Sequence, residues 1–411
     1  MAGSSSSRLL LFDDRVARDW QPFTLTRPAG ELRFGGATLR ARAERVLGLR
    51  CAGHVSAPHL QGFDEPDARP VLAAPADRVQ VRTVLLCSRA VLLGDVAAPP
   101  LPSGPALLEV GGQICGCVVP AGVQPPSAPF LDAPHSHAPD WPVHRIGGYL
   151  LEAVWHLITR CAEQTAHDIV AAAGTPSTRL PDGVYRLGRE PLLIGAGVEL
   201  EPGVVLDLRG GPVLFEPGVK VQAFSRVAGP SWVARDSVLL GGSYTAVSVG
   251  PVCKVHGEME ECVVLGYANK AHDGFLGHAY LGAWVNLGAL TTNSDLKNNY
   301  GSIRLWTPAG EVDTGELKIG CLLGDHVKTG IGLMLNTGTV VGAGANLFGA
   351  IMPPKYVPPF RWGSGEDLVE YDIDRLVGVA RTVMGRRGIE LSGSQESLLR
   401  QAAEIAGGMV A

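Results

Sequence analysis

From Leu193 onward, large apolar residues return every six positions. Ile194, Leu200 and Leu206 open the series, and after a short shift Phe215, Val221, Val227, Val233 and Leu239 carry it on without a break. Val198, Val204 and Val219 stand four positions after members of the series, and the small residues Ser225, Ser231, Ser237 and Ser243 take the same offset. The spacing resumes at Val249 and Val255, at Leu281 and Leu287, and at Ile319, Asp325, Ile331 and Thr337. A period of six predicts a parallel β-helix, in which each short strand turns one large apolar residue inward. A small residue fits near the corner, and Gly or Asn takes the tight turn.

The chain before this repeat reads differently. Residues 8–12 (RLLLF) form a short apolar run that ends abruptly in Asp13-Asp14, as a buried strand would. A polar loop follows, and Leu32 to Leu49 carries Leu39, Ala43, Val46 and Leu47 at helical spacing. Strand, loop and helix in this order predict an α/β domain of the nucleotide-binding kind. Val79 to Leu86 and Ala90 to Leu93 predict further strands, and Ala97 to Pro142 reads as Pro-rich loops and short strands. Ile146 to Ala172 reads as a helix joining two domains, with Leu150, Val154, Leu157, Ile158 and Cys161 on one face.

After the repeat, Gly349 to Trp362 is Pro-rich and breaks the period. Glu366 to Met384 predicts an amphipathic helix, and Ser394 to Met409 a last one with Ser394 as its N-cap. Both helices are expected to cover the open end of the β-helix. The expected division is 1–145, an α/β domain; 146–172, a helical linker; 173–355, the β-helix; and 356–411, a helical segment.

Charged residues are only 18% and hydrophobic ones 46%, so the chain folds around a sizeable core. A formal net charge of -5 gives no global bias toward nucleic acid or anionic membranes. No apolar run is long enough to span a bilayer. The opening MAGSSSSRLLLFDD lacks the long apolar core of a secretory leader. The eight cysteines show no zinc spacing; Cys115 and Cys117 are close, with no second pair beside them. The expectation is a cytoplasmic protein with reduced, buried thiols.

The repeat is interrupted between Cys262 and Leu281, and again between Thr292 and Gly315. Loops of that length projecting from a regular wall are where chemistry concentrates. Acyl transfer to an amine needs a base, an oxyanion donor and groups that hold a sugar phosphate. His278 can serve as the base, Asn286 and the Gly288-Ala289 backbone as donors, and Lys270 with Tyr280 as the phosphate-holding groups.

The stretch GHAYLG…VNLGALTT…NNYG, Gly277 to Gly301, resembles the acetyltransferase half of the bifunctional N-acetylglucosamine-1-phosphate uridyltransferase/glucosamine-1-phosphate acetyltransferase family. NKAHDGFLGH and LTRPAGELRFG are similar to a divergent sugar nucleotidyltransferase branch of it. The resemblance implies a left-handed β-helix, a homotrimer, and acetyl-CoA bound between neighbouring subunits. It gives His278 the role of catalytic base, and Tyr280 and Asn286, with Lys270, contacts to the sugar phosphate. Ala289, Asn299 and Tyr300 would contact acetyl-CoA.

The chain departs from the family pattern in three places. A single residue, Ala279, separates His278 from Tyr280, the segment from Tyr280 to Asn286 is shorter, and Asn293 to Asn298 is inserted before the Asn-Tyr pair. In the first domain the family's Gly-rich phosphate loop is replaced by Asp13 to Asp19, which contains no Gly. Arg15, Arg18, Arg27 and Arg33 are the cations left to meet a nucleotide there, and the resemblance implies Mg2+ with no ligand assigned.

The function expected is acetyl-CoA-dependent N-acetylation of glucosamine 1-phosphate, with uridylyl transfer to N-acetylglucosamine 1-phosphate in the first domain. Acyl transfer to another nucleotide-linked amino sugar, or a non-catalytic subunit that binds a sugar nucleotide, are the alternatives.

Overall fold

The protein is described from a computed structural model that covers residues 7–93, 100–172, 174, 177 and 179–410. The leader reading at residues 1–6, the start of the Pro-rich stretch at 97–99 and the expected β-helix boundary at 173 lie outside the described residues.

The first domain is built on a six-stranded mixed sheet. Its order is Cys51–Val55, Arg8–Phe12, Thr83–Cys87, Gln113–Val119, Ala106–Val110 and Val143–Arg145. The first three strands are parallel, and the apolar run at 9–12 is central because both of its faces are buried. The stretch read as Pro-rich loops and short strands supplies two strands of this sheet, Ala106–Val110 and Gln113–Val119. Cys115 and Cys117 are 0% exposed in the second of these, so alternate small thiols line the core there. The predicted helix over 32–49 is shorter and runs Leu39–Leu47. Thr38 caps its first turn, and Gly48, at φ 62°, ends it.

The repeat folds into a three-faced solenoid of parallel strands. Each turn contributes one short strand to each face. One face is a continuous nine-stranded sheet running from Leu192–Ile194 to Tyr356–Val357. Leu200, Leu206, Phe215, Val221, Val227, Val233, Leu239, Val249, Val255, Leu281 and Leu287 all lie in one interior cluster, as their spacing requires. Ser231 and Ser237, both 0% exposed, use their hydroxyls to join adjacent turns.

Beyond residue 300 the inward residues are Leu323, Thr329, Leu335, Val341 and Leu347. The series read through Ile319, Asp325, Ile331 and Thr337 has the right period and the wrong phase. Ile331 is 70% exposed, and Asp325 points toward the first domain. The reason is the insertion between Asn293 and Cys321, which holds the hairpin Arg304–Thr307 with Gly310–Asp313. An insertion of arbitrary length erases the phase of a periodic signal while leaving the period intact.

The outer side of the nine-stranded face is covered along its length. Leu193, Leu214 and Trp232 pack with Ile169. Val263, Tyr280, Leu322 and Val340 share a second cluster with Phe23, Leu157 and Leu376. The expected helical linker is thus part of a core. Residues 146–150 are not helical: Gly148–Leu150 pairs as a strand with Ala90–Leu92, and the helices are His156–Thr159 and Cys161–Ala171. The apolar spacing that suggested one long helix serves instead to fill this interdomain cluster.

The C-terminal helices also lie against this side and do not cap the end. The last turn is closed by the antiparallel strand Asp367–Glu370 on Arg361–Ser364, which removes the open edge directly. Helix Ile373–Gly385 follows, so the helix expected from Glu366 starts late. The last helix is Gly393–Val410, with the hydroxyl of Ser392, not Ser394, accepting from the Gln395 N–H. All eight cysteines are buried and unpaired. Among the described residues no helix is long and apolar enough to cross a membrane.

Candidate active sites on the solenoid and in the first domain

His278 stands at a corner of the solenoid, between strands Phe275–Gly277 and Tyr280–Leu281. The corner turns through residues with positive φ: Ala246 at 53°, Glu261 at 49° and His278 at 47° occupy it in successive turns. The stacking is direct, since the His278 N–H donates to Glu260 O at 2.8 Å. Its imidazole is 6% exposed. Nδ1 lies 2.8 Å from Oδ2 of Asp295, and Nε2 lies 3.5 Å from Oε2 of Glu261. The hydrogen bond with His278 holds the Asp295 carboxyl below its usual pKa. Lys318 closes the group, 3.4 Å from Glu260.

Asp295 and Glu261 were not singled out as site residues from the sequence. The signal was present as spacing: Asp295 follows His278 by 17 residues, one turn, and Glu261 precedes it equally far.

The other predicted residues are placed as follows. Lys270 is in the inward column beside Val255, 2% exposed, and its amine donates to the carbonyls of His256 and His272 at 2.8 and 2.7 Å. Burial lowers its pKa to about 8, against the opposing pull of Asp273. It is an interior residue and not a free phosphate-binding cation. Tyr280 is 0% exposed on the outer side of its strand. Its hydroxyl accepts from Arg33 N–H at 2.9 Å and donates to Arg33 O at 3.1 Å, and its ring packs on Phe23. It joins the two domains and has no free edge for a sugar phosphate.

Asn286 accepts a hydrogen bond from Asn269 at 2.9 Å in an outward polar ladder that continues through Lys328 and Asn346. Ala289 lies partly buried just after the Asn286–Leu287 strand, while Asn299 and Tyr300 are exposed on the insertion, Tyr300 at 70%. The structure brings His278 together with Asp295 and Glu261; it does not bring Lys270 or Tyr280 to them with a free polar group.

In the first domain the ends of the parallel strands meet a cleft of about 220 Å3 lined by Asp14, Arg15, Cys87, Arg89, Asp132 and His135, among others. Ligands of open α/β sheets sit at this edge. Of the predicted cations, Arg15 is exposed in the cleft. Arg18 is held by Asp132 and by Asp13 O. Arg27 is elsewhere, 2% exposed between Asp325 and Glu65 in the domain interface. Arg33 is likewise buried there, with Nε on Ser248.

A divalent cation does not fit the cleft as it stands. Asp14 is engaged by Arg89 through both oxygens, and Asp132 by Arg18. Asp13 is enclosed, accepting from Ala29 N–H and Ser56. Among the described residues no three His, Cys, Asp or Glu side chains converge at metal-ligand spacing.

An α/β domain docked on a β-solenoid that bears a His–Asp pair is the architecture in hand. Residues 9–174, which hold the first domain, match the family model described as sugar nucleotidyl transferase. A bifunctional sugar-1-phosphate nucleotidylyltransferase/acetyltransferase from Sulfurisphaera tokodaii is 27% identical over 96 residues. The match covers 23% of this chain and 24% of that protein, so it spans about a quarter of the relative's length. Among solved structures, the Arabidopsis UDP-N-acetylglucosamine acyltransferase is similar at 13% identity and a TM-score of 0.29, over 48% of this chain and 76% of that one. AntD, an N-acyltransferase from Bacillus cereus, is similar at 12% identity and a TM-score of 0.22, over 47% and 91%. At scores this low the likeness carries nothing about activity.

Proposed function

We propose that the protein is a bifunctional sugar nucleotidyltransferase/acetyltransferase whose solenoid moves an acetyl group from acetyl-CoA to an amino sugar. The observation that carries the reading is the 2.8 Å contact between His278 Nδ1 and Asp295 Oδ2. With Nδ1–H donated to the carboxylate, Nε2 keeps its lone pair and is the basic atom. It faces Glu261, whose side chain is 36% exposed, so the Nε2 edge of the imidazole lies beside an acidic group that attracts an ammonium.

In the step, Nε2 takes a proton from the sugar amine as its nitrogen attacks the thioester carbonyl. The N–C bond forms, the C–S bond breaks, and the departing thiolate receives the proton. Asp295 stabilises the imidazolium in between. The acceptor of choice is glucosamine 1-phosphate, and the first domain would carry uridylyl transfer to its N-acetylated product. The family model that this domain matches and the exposed Arg15 in its cleft support a bound nucleotide phosphate there.

A homotrimer in the cytoplasm completes the proposal. Leu290 (58%) and Ile331 (70%) are exposed on the side of the solenoid away from the first domain, where a neighbouring copy would cover them. Thiol release from acetyl-CoA with glucosamine 1-phosphate tests the reading. His278→Ala is expected to lose about 10²–10⁴-fold in turnover with the fold intact. Full transfer by that variant would end it. Nucleotide binding without pyrophosphate exchange would reduce the first domain to a binding module.

A further inference from the structure

From Tyr244 to Leu335 the column of inward residues on the face that leads to His278 is built of large, mostly apolar side chains except at one place. It runs Tyr244, Met259, Leu276, Asn293 and Leu335 through successive turns. Asn293 is 3% exposed. A leucine would fill the column as its neighbours do, and a buried amide is costly unless every polar atom is satisfied. Its Oδ1 accepts from Gly277 N–H at 3.0 Å, and its Nδ2 donates to Gly277 O at 2.9 Å and to Ser294 O at 3.1 Å.

Those bonds replace something. Strand Phe275–Gly277 pairs with the turn before it through backbone, but among the described residues no backbone bridge joins it to Thr292–Asn293 in the turn after. Thr292 Oγ1, on Phe275 O at 3.2 Å, and the Asn293 amide make the connection. The side-chain amide stands where a peptide unit would stand in a regular turn. Gly277 is the residue immediately before His278, and Asp295 is two residues beyond Asn293. The returning end of the insertion closes the same spot. Gly320 N–H donates to His278 O at 2.9 Å, and a Cβ on Gly320 would lie 2.0 Å from Gly277 O and 2.2 Å from Asn293 Nδ2.

We infer that Asn293 is a positioning residue for His278: it fixes the backbone at Gly277 so that the imidazole meets Asp295. The inference rests on the reading of His278 as the base, but its first readout does not. That readout is the imidazole itself, followed by NMR in Asn293→Leu, with the His278 signals assigned by their absence in His278→Ala. Asn293→Leu is expected to shift the Nδ1 resonance as the Asp295 contact loosens. Turnover in thiol release should fall by about tenfold or more, with KM for acetyl-CoA little changed. Asn293→Ser, which keeps one hydroxyl partner for Gly277, should show the same change in smaller degree and serves if the leucine variant does not fold. His278 resonances and turnover both unchanged in a folded variant would overturn the inference. Thiol release retained by His278→Ala would instead overturn the base reading and leave the NMR test standing.

Discussion

Arg27 Nε lies 2.8 Å from Asp325 Oδ2, and that carboxylate joins two domains 298 residues apart in the chain. It also accepts from the Thr26 hydroxyl and from the Ala283 N–H, each at 2.7 Å. The guanidinium's other edge meets both oxygens of Glu65 at 3.0 Å. Every member is nearly dry, so removing one leaves a buried charge with too few partners. Asp325→Ala is expected to cost about 3–5 kcal/mol of stability, and Asp325→Asn less, since it keeps an acceptor. Urea denaturation of the two variants beside the wild type measures the difference, and near-equal midpoints for all three would contradict it.

Tyr280→Phe separates the interface role from a substrate role. The lost hydroxyl leaves the N–H and C=O of Arg33 unsatisfied inside the interface, at a cost of about 1–3 kcal/mol. The KM for the sugar phosphate should stay within about twofold, because a group 0% exposed cannot reach it. A large rise in KM with unchanged stability would restore Tyr280 to the acceptor site.

Asp295→Asn keeps the shape and removes the charge. The imidazole then loses the partner that selects its tautomer, and turnover should fall by about 10²–10⁴-fold while the protein folds normally. Steady-state thiol release, with circular dichroism as the control, reads both. Activity equal to that of wild type would mean that the contact is structural.

The Lys270 amine has a pKa near 8 in the folded chain because burial disfavours its charge. The unfolded chain holds that proton up to an ordinary lysine value, so between these limits it binds more protons than the folded one. The contribution of this group to stability therefore rises with pH from about 8 to about 10.5. The buried thiols of Cys115, Cys262 and Cys321, pushed up by burial, act in the opposite sense above pH 9. The clean quantity is the difference between wild type and Lys270→Met, which should shift in favour of the wild type as pH rises through that window. A difference independent of pH would place the amine in contact with water.

In the first domain, Arg15→Ala should weaken nucleotide binding by about tenfold, and Arg27→Lys should leave it unchanged while lowering stability. Isothermal titration with a nucleoside triphosphate distinguishes them. Equal loss in both would mean that the interface, and not the cleft, governs binding.

The solenoid was legible because Val221, Val227 and Val233 each answer one local demand, a large apolar group per strand. The same logic says nothing about outward side chains. Tyr280 and Asp325 follow their inward neighbours by ordinary steps along the chain, and the approach of residues 23–35 from outside gives them their partners in the first domain. His278 was readable from GHAYLG, whereas Asp295 sits in an insertion whose path no period describes. Its distance of one turn from His278 was a usable clue only once the length of a turn was known. The strands at 106–119 were legible only as short strands of unassigned position among Pro-rich loops, because their burial depends on neighbours far away in sequence.

Repeat proteins commonly lengthen or shorten by whole turns with little penalty, since each turn meets only its neighbours. Here one face is keyed at fixed heights to a non-repeating partner: Trp232 under Ile169, Ser248 under Arg33, Tyr280 under Phe23 and Asp325 under Arg27. Gaining or losing a turn between any two of these would slide every later tooth out of its notch. The solenoid is therefore a ruler of set length, and its descendants are free to vary only above the last notch or in loops that leave the wall sideways.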